Sequence, residues 1–248
     1  REKATSNVCT AQVLLAVMAS MYAVYHGPDG LRRIAERTHA RAVILANALR
    51  RLRYRIVHDH FFDTLCVEVE RWALPRIADA ARSRKINLRV LSPTRLGIAL
   101  DETTSLGDVA DLITLFSLNE TLPFMLDDIG VQAARAIPES LTRTSAYLTH
   151  PVFHRYRSET EMLRYIKRLE SKDLSLCHAM IPLGSCTMKH NPRVNERVVM
   201  LPGFKDLHPH QAEEGAQGAL ELMWRLQEIL QEIAGLHACS LQPAAGSQ

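Results

Sequence analysis

Apolar side chains recur every three or four positions along much of this chain, which predicts helices that are buried on one face. The repeat is cleanest over residues 31–52, where arginine and glutamate occupy the opposite face. Residues 8–25 are apolar almost all round, so we expect a fully buried helix that is capped at residues 5–7. Gly27 and Pro28 follow it, and such a pair is typical of a helix end.

Alternating apolar and polar residues predict three strands, at residues 65–69, 86–90 and 96–100. A turn at residues 92–94 should join the last two strands into a hairpin. A short helix is predicted over residues 74–83, between the first two strands. Helices and a small sheet therefore share this part of the chain.

Two later helices are preceded by capping boxes, in which a serine and an acidic residue three positions on bond each other's backbone. Ser105 with Asp108 marks the first box, and Ser158 with Glu161 marks the second. The elements up to about residue 117 predict a compact α+β unit with its helices on one side of the sheet.

The periodicity weakens between residues 117 and 157, where prolines and glycines interrupt the sequence. This stretch is too apolar for a free linker, so we expect it to pack against a neighbouring domain or subunit. Beyond it, the pattern predicts a helical turn at residues 195–200, a long helix from Pro209 to Gly235, and a strand over residues 238–241.

Composition limits the classes of function. The chain has 248 residues, 47% hydrophobic and 23% charged, which suffices for one large domain or two ordinary ones. A net charge of +3, from 30 basic and 27 acidic residues, is too balanced to favour nucleic acid or an anionic membrane as a partner. The longest apolar run is shorter than the roughly 20 residues that span a bilayer.

The five cysteines are widely spaced and show no metal-binding pattern with histidine, so a disulfide framework and a zinc site are both disfavoured. No metal site is predicted, and a reducing compartment fits best. The first residues do not form a secretory signal peptide. The chain begins with arginine and stops within a loop of small residues, so we expect both ends to be cut from a longer sequence.

Residues 181–192 hold the densest candidate chemistry, with the hydroxyls of Ser185 and Thr187 and the ammonium of Lys189 between two prolines. Proline and glycine disfavour regular structure there, so we expect a loop. It is either a surface turn with ordinary turn residues or a loop that delivers polar side chains to a pocket. We call residues 184–190 the polar loop.

A second candidate site lies after the predicted strand at residues 238–241. Residues 243–248 form a turn of small residues. A glycine-containing turn between a strand and a helix can hold a phosphate with its backbone N–H groups.

Four segments carry a family resemblance in a fixed order: residues 1–12 (REKATSNVCTAQ), 149–153 (THPVF), 181–189 (IPLGSCTMK) and 240–248 (SLQPAAGSQ). Together they resemble the glycine decarboxylases, the P-proteins of the glycine cleavage system. The GSCTMK run is the most specific of the four.

The resemblance implies an α/β chain of two similar halves, each with the type I, aminotransferase-like fold of pyridoxal-phosphate enzymes. Residues 1–118 would be the small α+β C-terminal domain of the first half, residues 119–150 the connector between halves, and residues 151–248 the helical start of the second, cofactor-bearing half. The chain would then be the central segment of an enzyme whose two halves are fused.

The resemblance also implies a reaction, the pyridoxal-phosphate-dependent decarboxylation of glycine, with transfer of the aminomethyl group to the lipoyl arm of the H-protein. The implied partners are glycine, the H-protein and the other half or subunit of the enzyme. We expect a homodimer for the full-length protein, and neither nucleic acid nor a membrane as a partner. The compartment would be the cytoplasm in a bacterium and the mitochondrion in a eukaryote.

Site residues follow from the same resemblance. Ser185, Thr187 and Lys189 match a loop near the substrate. There Lys189 would pair with the glycine carboxylate, and the two hydroxyls would bond cofactor or substrate oxygens. Each role has a structural alternative, such as Lys189 joining the two halves. Three further residues match the start of the loop that holds the cofactor phosphate: Gly246, Ser247 and Gln248.

The lysine that binds the cofactor covalently in this family stands in a His-Lys context that no lysine of this chain matches. The lysines present are Lys3, Lys85, Lys167, Lys172, Lys189 and Lys205. We therefore expect that the isolated chain neither binds pyridoxal phosphate covalently nor decarboxylates glycine. Cys186 is not expected to act as a nucleophile, and His150 is expected to pack or to cap.

Two other classes of function stay open. The chain could be a non-catalytic scaffold or partner subunit, docking through its apolar connector on a separate cofactor-bearing chain. It could also belong to another type I pyridoxal-phosphate enzyme, such as an aminotransferase. The GSCTMK run argues against the aminotransferase, and the expected cut ends favour a decarboxylase segment over a scaffold.

Overall fold

The computed structural model describes most of the chain, namely residues 11–118, 121–124, 137–175, 177–179 and 192–242. Within these limits the fold is α/β, with seven α-helices and one small antiparallel sheet. The chain divides into two compact units, residues 14–166 and residues 1–13 together with 167–248.

The unit of residues 14–166 is built around one long helix and a four-stranded sheet. Its elements in chain order are α1 (Ala11–Arg51), β1 (Arg55–Ile56), β2 (Thr64–Glu68), α2 (Ala73–Ser83), β3 (Arg89–Ser92), β4 (Arg95–Ala99), α3 (Leu106–Phe116) and the start of α4 (Glu159–Glu170). Single 3-10 turns lie at Glu139–Leu141 and Pro151–His154.

The sheet has the strand order β1-β2-β4-β3, and every neighbouring pair is antiparallel. Leu65 pairs with Ile98, and Val67 pairs with Leu96. All four side chains are buried, because alternate residues of paired strands point to the same face. The predicted strand at residues 65–69 and the predicted hairpin are therefore confirmed.

The core of this unit joins the buried face of the sheet to helices α1, α2 and α3. Its helical members are Ala42, Leu45, Ala46, Ala48, Leu49, Ala73, Ile77, Ala81, Val109, Leu112, Ile113, Leu115 and Phe116. Tyr54 supports this core, since its hydroxyl donates to the carbonyl oxygen of Phe116 at 2.8 Å and the two rings meet edge to face. The helix predicted over residues 74–83 is confirmed as α2.

From Ala11 onward, α1 confirms the helices predicted at residues 8–25 and 31–52, but it joins them. The cap predicted at residues 5–7 lies outside the described residues. Gly27 interrupts the helix with φ 59° and ψ −173°, so the predicted end is a break within α1. The second segment of α1 is buried on its predicted face, where Leu45 and Leu49 have no exposed surface.

The start of α1 is not buried, contrary to expectation. Leu14, Leu15, Val17 and Met18 are each more than half exposed. An all-round apolar sequence predicts that some surface covers the helix, but it does not specify that this surface lies in the same chain.

The strand predicted at residues 86–90 is only partly formed, because β3 begins at Arg89. β3 is an edge strand that pairs with β4 alone, and Val90 is exposed. Ile86 and Leu88 pack against the core from the segment before the strand. The alternating pattern correctly indicated that Ile86 and Leu88 contact the core. It could not reveal that β3 would lie at the edge of the sheet with a single neighbouring strand.

The unit of residues 1–13 and 167–248 contains three whole helices among its described residues, α5 (Arg193–Val199), α6 (Pro202–Lys205) and α7 (Gln217–Ala234). α5 confirms the helical turn that was predicted at residues 195–200. Gly235 ends α7 in the left-handed conformation, with φ 66°, as predicted. None of the described residues beyond 166 is buried.

Two predictions for this unit were wrong. α7 begins at Gln217 rather than at Pro209, because side chains bond the backbone locally before it. His208 Nδ1 accepts from the His210 N–H at 3.0 Å, and Gln211 donates to the Gly215 carbonyl at 3.1 Å. The strand at residues 238–241 is absent, since the described part of this unit contains no second strand with which it could pair.

The described helices include none that is long and apolar enough to cross a membrane. Cys66, Cys177 and Cys239 are free thiols. Among the residues that the structure describes, no group of three or more potential metal ligands comes together.

Candidate functional site

The residues that the sequence predicts for the site lie outside the described part of the chain. These are the polar-loop residues Ser185, Thr187 and Lys189 and the phosphate-loop residues Gly246, Ser247 and Gln248. Their roles stay predictions. The structure does describe the chain on both sides of the polar loop and just before the phosphate loop.

A turn centred on Ser175 leads towards the polar loop. The Ser175 hydroxyl oxygen accepts from the N–H of Cys177 at 3.2 Å and lies 2.9 Å from His178 Nδ1. The Ser175 carbonyl accepts from the N–H groups of His178 and Ala179. On the far side, Pro192 occupies the N-cap position of α5. The flank before the loop is therefore held by local bonds, and none of its described residues is buried.

The segment before the phosphate loop is tied to α7. Gln227 donates from Nε2 to the carbonyl oxygen of Cys239 at 2.8 Å. The Ser240 hydroxyl then accepts from the N–H of Gln242 at 3.3 Å. These bonds hold an irregular segment, where the sequence had predicted a strand.

The THPVF segment forms a capped 3-10 turn at Pro151–His154. His150 is its N-cap, and His150 Nδ1 accepts from the N–H of Val152 at 3.2 Å. His154 Nε2 lies 2.9 Å from the carbonyl oxygen of Leu148. The expectation that His150 packs or caps is thus confirmed as a cap.

This turn packs on the break in α1 through one arginine. Arg157 Nη1 donates to the carbonyl oxygens of Val24 and Tyr25, at 2.8 Å each. Arg157 Nη2 donates to the carbonyl oxygen of Phe153, in the turn itself. We call these contacts of Arg157 with Val24, Tyr25 and Phe153 the Arg157 clamp.

A small second core surrounds the clamp. Val24, Tyr156 and Met162 are buried together there. The rings of Tyr156 and Tyr165 stack with their centroids 4.1 Å apart. On the other side of the break, the Tyr147 hydroxyl donates to the carbonyl oxygen of Pro28 at 2.6 Å.

The described residues line several surface cavities, two of which adjoin α1. One, of about 500 Å³, lies beside the end of α1 and is lined by Arg53, Tyr54, Glu68, Trp72 and Phe116, among others. The other, of about 860 Å³, is lined by Tyr22, His26, Gly30, Arg33, Ile34, Glu36, Arg37 and Glu102. Burial and the nearby carboxylate of Glu102 raise the pKa of Tyr22.

No lysine lines either cavity. A site for pyridoxal phosphate needs a lysine that forms a Schiff base with the cofactor.

Comparison with known proteins gives a family match over the first part of the chain. Residues 1–116 match the model of a family described as Glycine cleavage system P-protein. The predicted resemblance to the P-proteins is thereby confirmed.

Alignments with curated relatives of the P-protein family extend over the whole chain. It is 52% identical to a glycine dehydrogenase (decarboxylating) of Nostoc punctiforme and 50% identical to one of Vibrio cholerae. It is 49% identical to the mitochondrial glycine dehydrogenase (decarboxylating) 1 of Arabidopsis thaliana. Each alignment covers 100% of this chain but only 26%, 26% and 24% of the respective relative. The chain thus spans about a quarter of the length of the relatives it matches.

Sequence reasoning missed the Arg157 clamp. The Gly27-Pro28 pair was visible, but it predicted only that a helix would end there. Arg157 lies 133 residues from Val24 in the sequence, and no local pattern connects them. The sole available signal was that a helix break inside a folded unit needs a donor for its free carbonyl groups.

Proposed function

We propose that this chain is the central segment of a glycine dehydrogenase (decarboxylating), the P-protein of a glycine cleavage system. The observation that carries the proposal is identity of about 50% along the entire chain with proteins of that name. The four resembling segments lie within those alignments, because the alignments leave no part of the chain uncovered.

We propose the type I, aminotransferase-like fold for the complete protein, divided here as residues 1–118, 119–150 and 151–248. Exposed apolar surface supports a segment that packs within a larger protein. On α7, Trp224 is 59% exposed and Ile233 is 77% exposed, and no residue of the helix is buried. A helix with such a surface is expected to be covered in the complete molecule.

The proposed reaction is the decarboxylation of glycine. Bound pyridoxal phosphate would supply an electron sink for the charge that develops as carbon dioxide leaves. From this chain, we propose that Lys189 pairs with the glycine carboxylate and that Ser185 and Thr187 bond neighbouring oxygens. Three backbone amides would hold the cofactor phosphate: those of Gly246, Ser247 and Gln248.

The proposed partners are glycine, the lipoyl-bearing H-protein and the other half or subunit of the enzyme, with a homodimer as the full-length state. The names of the plant relatives place those proteins in mitochondria. For this chain we propose the mitochondrion if its source is a eukaryote and the cytoplasm if it is a bacterium.

The proposal is tested with the longer polypeptide that contains this segment. It is loaded with pyridoxal phosphate and supplied with glycine labelled at the carboxyl carbon, with and without lipoylated H-protein. We expect release of labelled carbon dioxide that depends on the H-protein. A loaded, folded polypeptide that releases none would overturn the assignment.

A second experiment tests whether the isolated chain forms a covalent cofactor site. The isolated 248-residue chain is incubated with pyridoxal phosphate and reduced with borohydride. We expect no stable adduct on a lysine, because the matching lysine context is absent from the sequence. An adduct on the isolated chain would show that it forms a covalent cofactor site of its own.

A further inference from the structure

The two sides of the break in α1 differ in how much of them is buried. Between residues 14 and 26, all of which are described, only Val24 is buried. Between residues 31 and 51, buried side chains recur on one face, and Leu45 and Leu49 have no exposed surface. Local stability rises with the number of buried apolar contacts. The main core therefore anchors residues 31–51 but not residues 14–26.

The break also removes a backbone bond that would couple its two sides. In a continuous helix, the carbonyl of Val24 would accept from the N–H of the residue four positions later. That residue is Pro28, which has no N–H. A helix of up to about 15 residues is only marginally stable in water without tertiary contacts. Residues 14–26 therefore depend on contacts from outside α1.

Arg157 supplies such contacts at the break. Its Nη1 donates to the carbonyl oxygens of Val24 and Tyr25, at 2.8 Å each. A guanidinium has five N–H donors in a fixed plane, so it can bond several carbonyl groups at once. Its positive charge also lies at the carboxyl end of a helical segment, where a cation is favoured.

The small core beside the clamp adds apolar contacts. Val24 is buried there with Tyr156 and Met162, and Met21 packs against them. This core has far fewer members than the main core, which joins the sheet to α1, α2 and α3. The clamp and the small core both lie near the break, so their loss should free residues 14–26.

We propose that residues 14–26 are a locally opening unit of this fold and that the Arg157 clamp keeps it closed. While Arg157 bonds the carbonyl groups at the break, the two sides of α1 are held together. When Arg157 leaves, residues 14–26 lose their helical hydrogen bonds, and residues 31–51 stay folded in the main core. This inference concerns the fold of the chain and is independent of the proposed function.

The test is amide hydrogen exchange of the whole 248-residue chain, which reports local opening and is followed peptide by peptide with mass spectrometry. The wild type is compared with Arg157→Ala, Arg157→Lys and the double variant Pro28→Ala/Arg157→Ala. Val109→Ala is the matched control, because it removes buried methyl groups from α3 in the main core rather than beside the clamp.

We expect Arg157→Ala to speed exchange at least about tenfold over residues 15–26, while exchange over residues 31–51 stays within about twofold of the wild type. Arg157→Lys should give an intermediate rate, since lysine keeps the charge but lacks the planar set of donors. The double variant should regain slow exchange, because alanine at position 28 returns an N–H that can bond the Val24 carbonyl.

Three results would overturn the proposal. Equal acceleration on both sides of the break in Arg157→Ala would mean that the clamp stabilises the unit as a whole. Unchanged exchange over residues 15–26 would mean that the clamp does not hold them closed. The same pattern in Val109→Ala as in Arg157→Ala would mean that residues 15–26 respond to any loss of stability. Uniformly fast exchange along α1 of the wild type would contradict the difference between its two sides.

Discussion

The guanidinium group of Arg157 occupies the space that a side chain at Gly27 would need. A Cβ atom built on Gly27 would overlap Arg157 and the carbonyl oxygen of Phe153. The glycine and the arginine are therefore a matched pair, although 130 positions separate them in the sequence.

Gly27→Ala should destabilise the fold and displace Arg157. The backbone at Gly27 lies near a region that is essentially restricted to glycine and costs other residues about 1–3 kcal/mol. We expect the free energy of unfolding to fall by at least about 2 kcal/mol in urea titrations. Adding Arg157→Ala should then cost less than it costs in the wild type, because the clamp is already lost.

Gly107→Ala is the control for this substitution. Gly107 lies in the first turn of α3, and its added Cβ would have Ser105 Oγ as a neighbour at 3.4 Å, an ordinary contact. We expect a change within about 0.5 kcal/mol. Equal losses for Gly27→Ala and Gly107→Ala would contradict the steric argument.

Pro28→Ala should make Arg157 less important. Alanine restores an N–H that can bond the Val24 carbonyl, so the break in α1 no longer depends on a distant donor. In a double-mutant cycle measured by chemical denaturation, Arg157→Ala should cost about 1–3 kcal/mol with Pro28 present and clearly less with Pro28→Ala. Additive effects of the two substitutions would refute a shared carbonyl.

Ser105→Ala should weaken the start of α3. The Ser105 hydroxyl accepts from the Asp108 N–H at 3.1 Å, and Asp108 Oδ2 accepts from the Ser105 N–H at 2.7 Å. Loss of such a cap costs about 1 kcal/mol of unfolding free energy. Ser83→Ala, at the exposed end of α2, is the control and should change stability by less than about 0.5 kcal/mol.

The cap also makes stability depend on pH. Bonds from the backbone and the hydroxyl of Ser105 lower the pKa of Asp108. A carboxylate whose pKa is lowered in the folded state stabilises the fold above its unfolded pKa of about 3.9, and that stability is lost as the pH falls through the folded pKa. The hydroxyl of Thr103 lowers the pKa of Asp101 in the same direction.

Unfolding free energies measured between about pH 6 and pH 2 should therefore decline on the acid side of about pH 4. Asp108→Asn should flatten this decline, because the amide cannot titrate. Asp111→Asn alters an exposed carboxylate of α3 that is not part of the cap and should leave the decline in place. If Asp108→Asn leaves the decline of the unfolding free energy with pH unchanged, the cap does not contribute to that pH dependence.

Lys189→Ala, in the full-length polypeptide, tests the proposed role of the polar loop. We expect kcat/KM for glycine to fall by at least tenfold, since a charge-assisted contact with the substrate carboxylate would be lost. Lys205→Ala is the control, because Lys205 forms a long surface pair of 3.9 Å with Asp206. Similar values for both variants would argue that Lys189 does not contact glycine.

Much of the fold could be predicted from local patterns. The strand at residues 65–69 and α3 were predictable because their alternation and capping box are local signals, and both are confirmed. The exposure of the start of α1 was not predictable, because burial depends on which surface lies opposite. Leu14 and Leu15 contribute to an apolar helix, yet both are about two-thirds exposed.

The long-range contacts required the structure. Nothing in the pattern around Pro28 indicates that Arg157 bonds the carbonyl groups left free at the break in α1. Nothing around Arg157 indicates that it contacts a helix break. For the candidate site, the sequence gives the information and the described residues do not. The GSCTMK run identified the polar loop by its resemblance to a family, and the positions of Ser185, Thr187 and Lys189 remain predictions.

The separation of Val24 and Arg157 has a consequence for how the protein is made. Arg157 follows Val24 by 133 positions, all of which must be synthesised before the break in α1 can acquire its donor. At 5–20 residues per second, this takes on the order of 10 s, far longer than a helix needs to form. Until then only water can bond the carbonyl groups at the break, so the docking of Arg157 on α1 cannot be an early step of folding during translation.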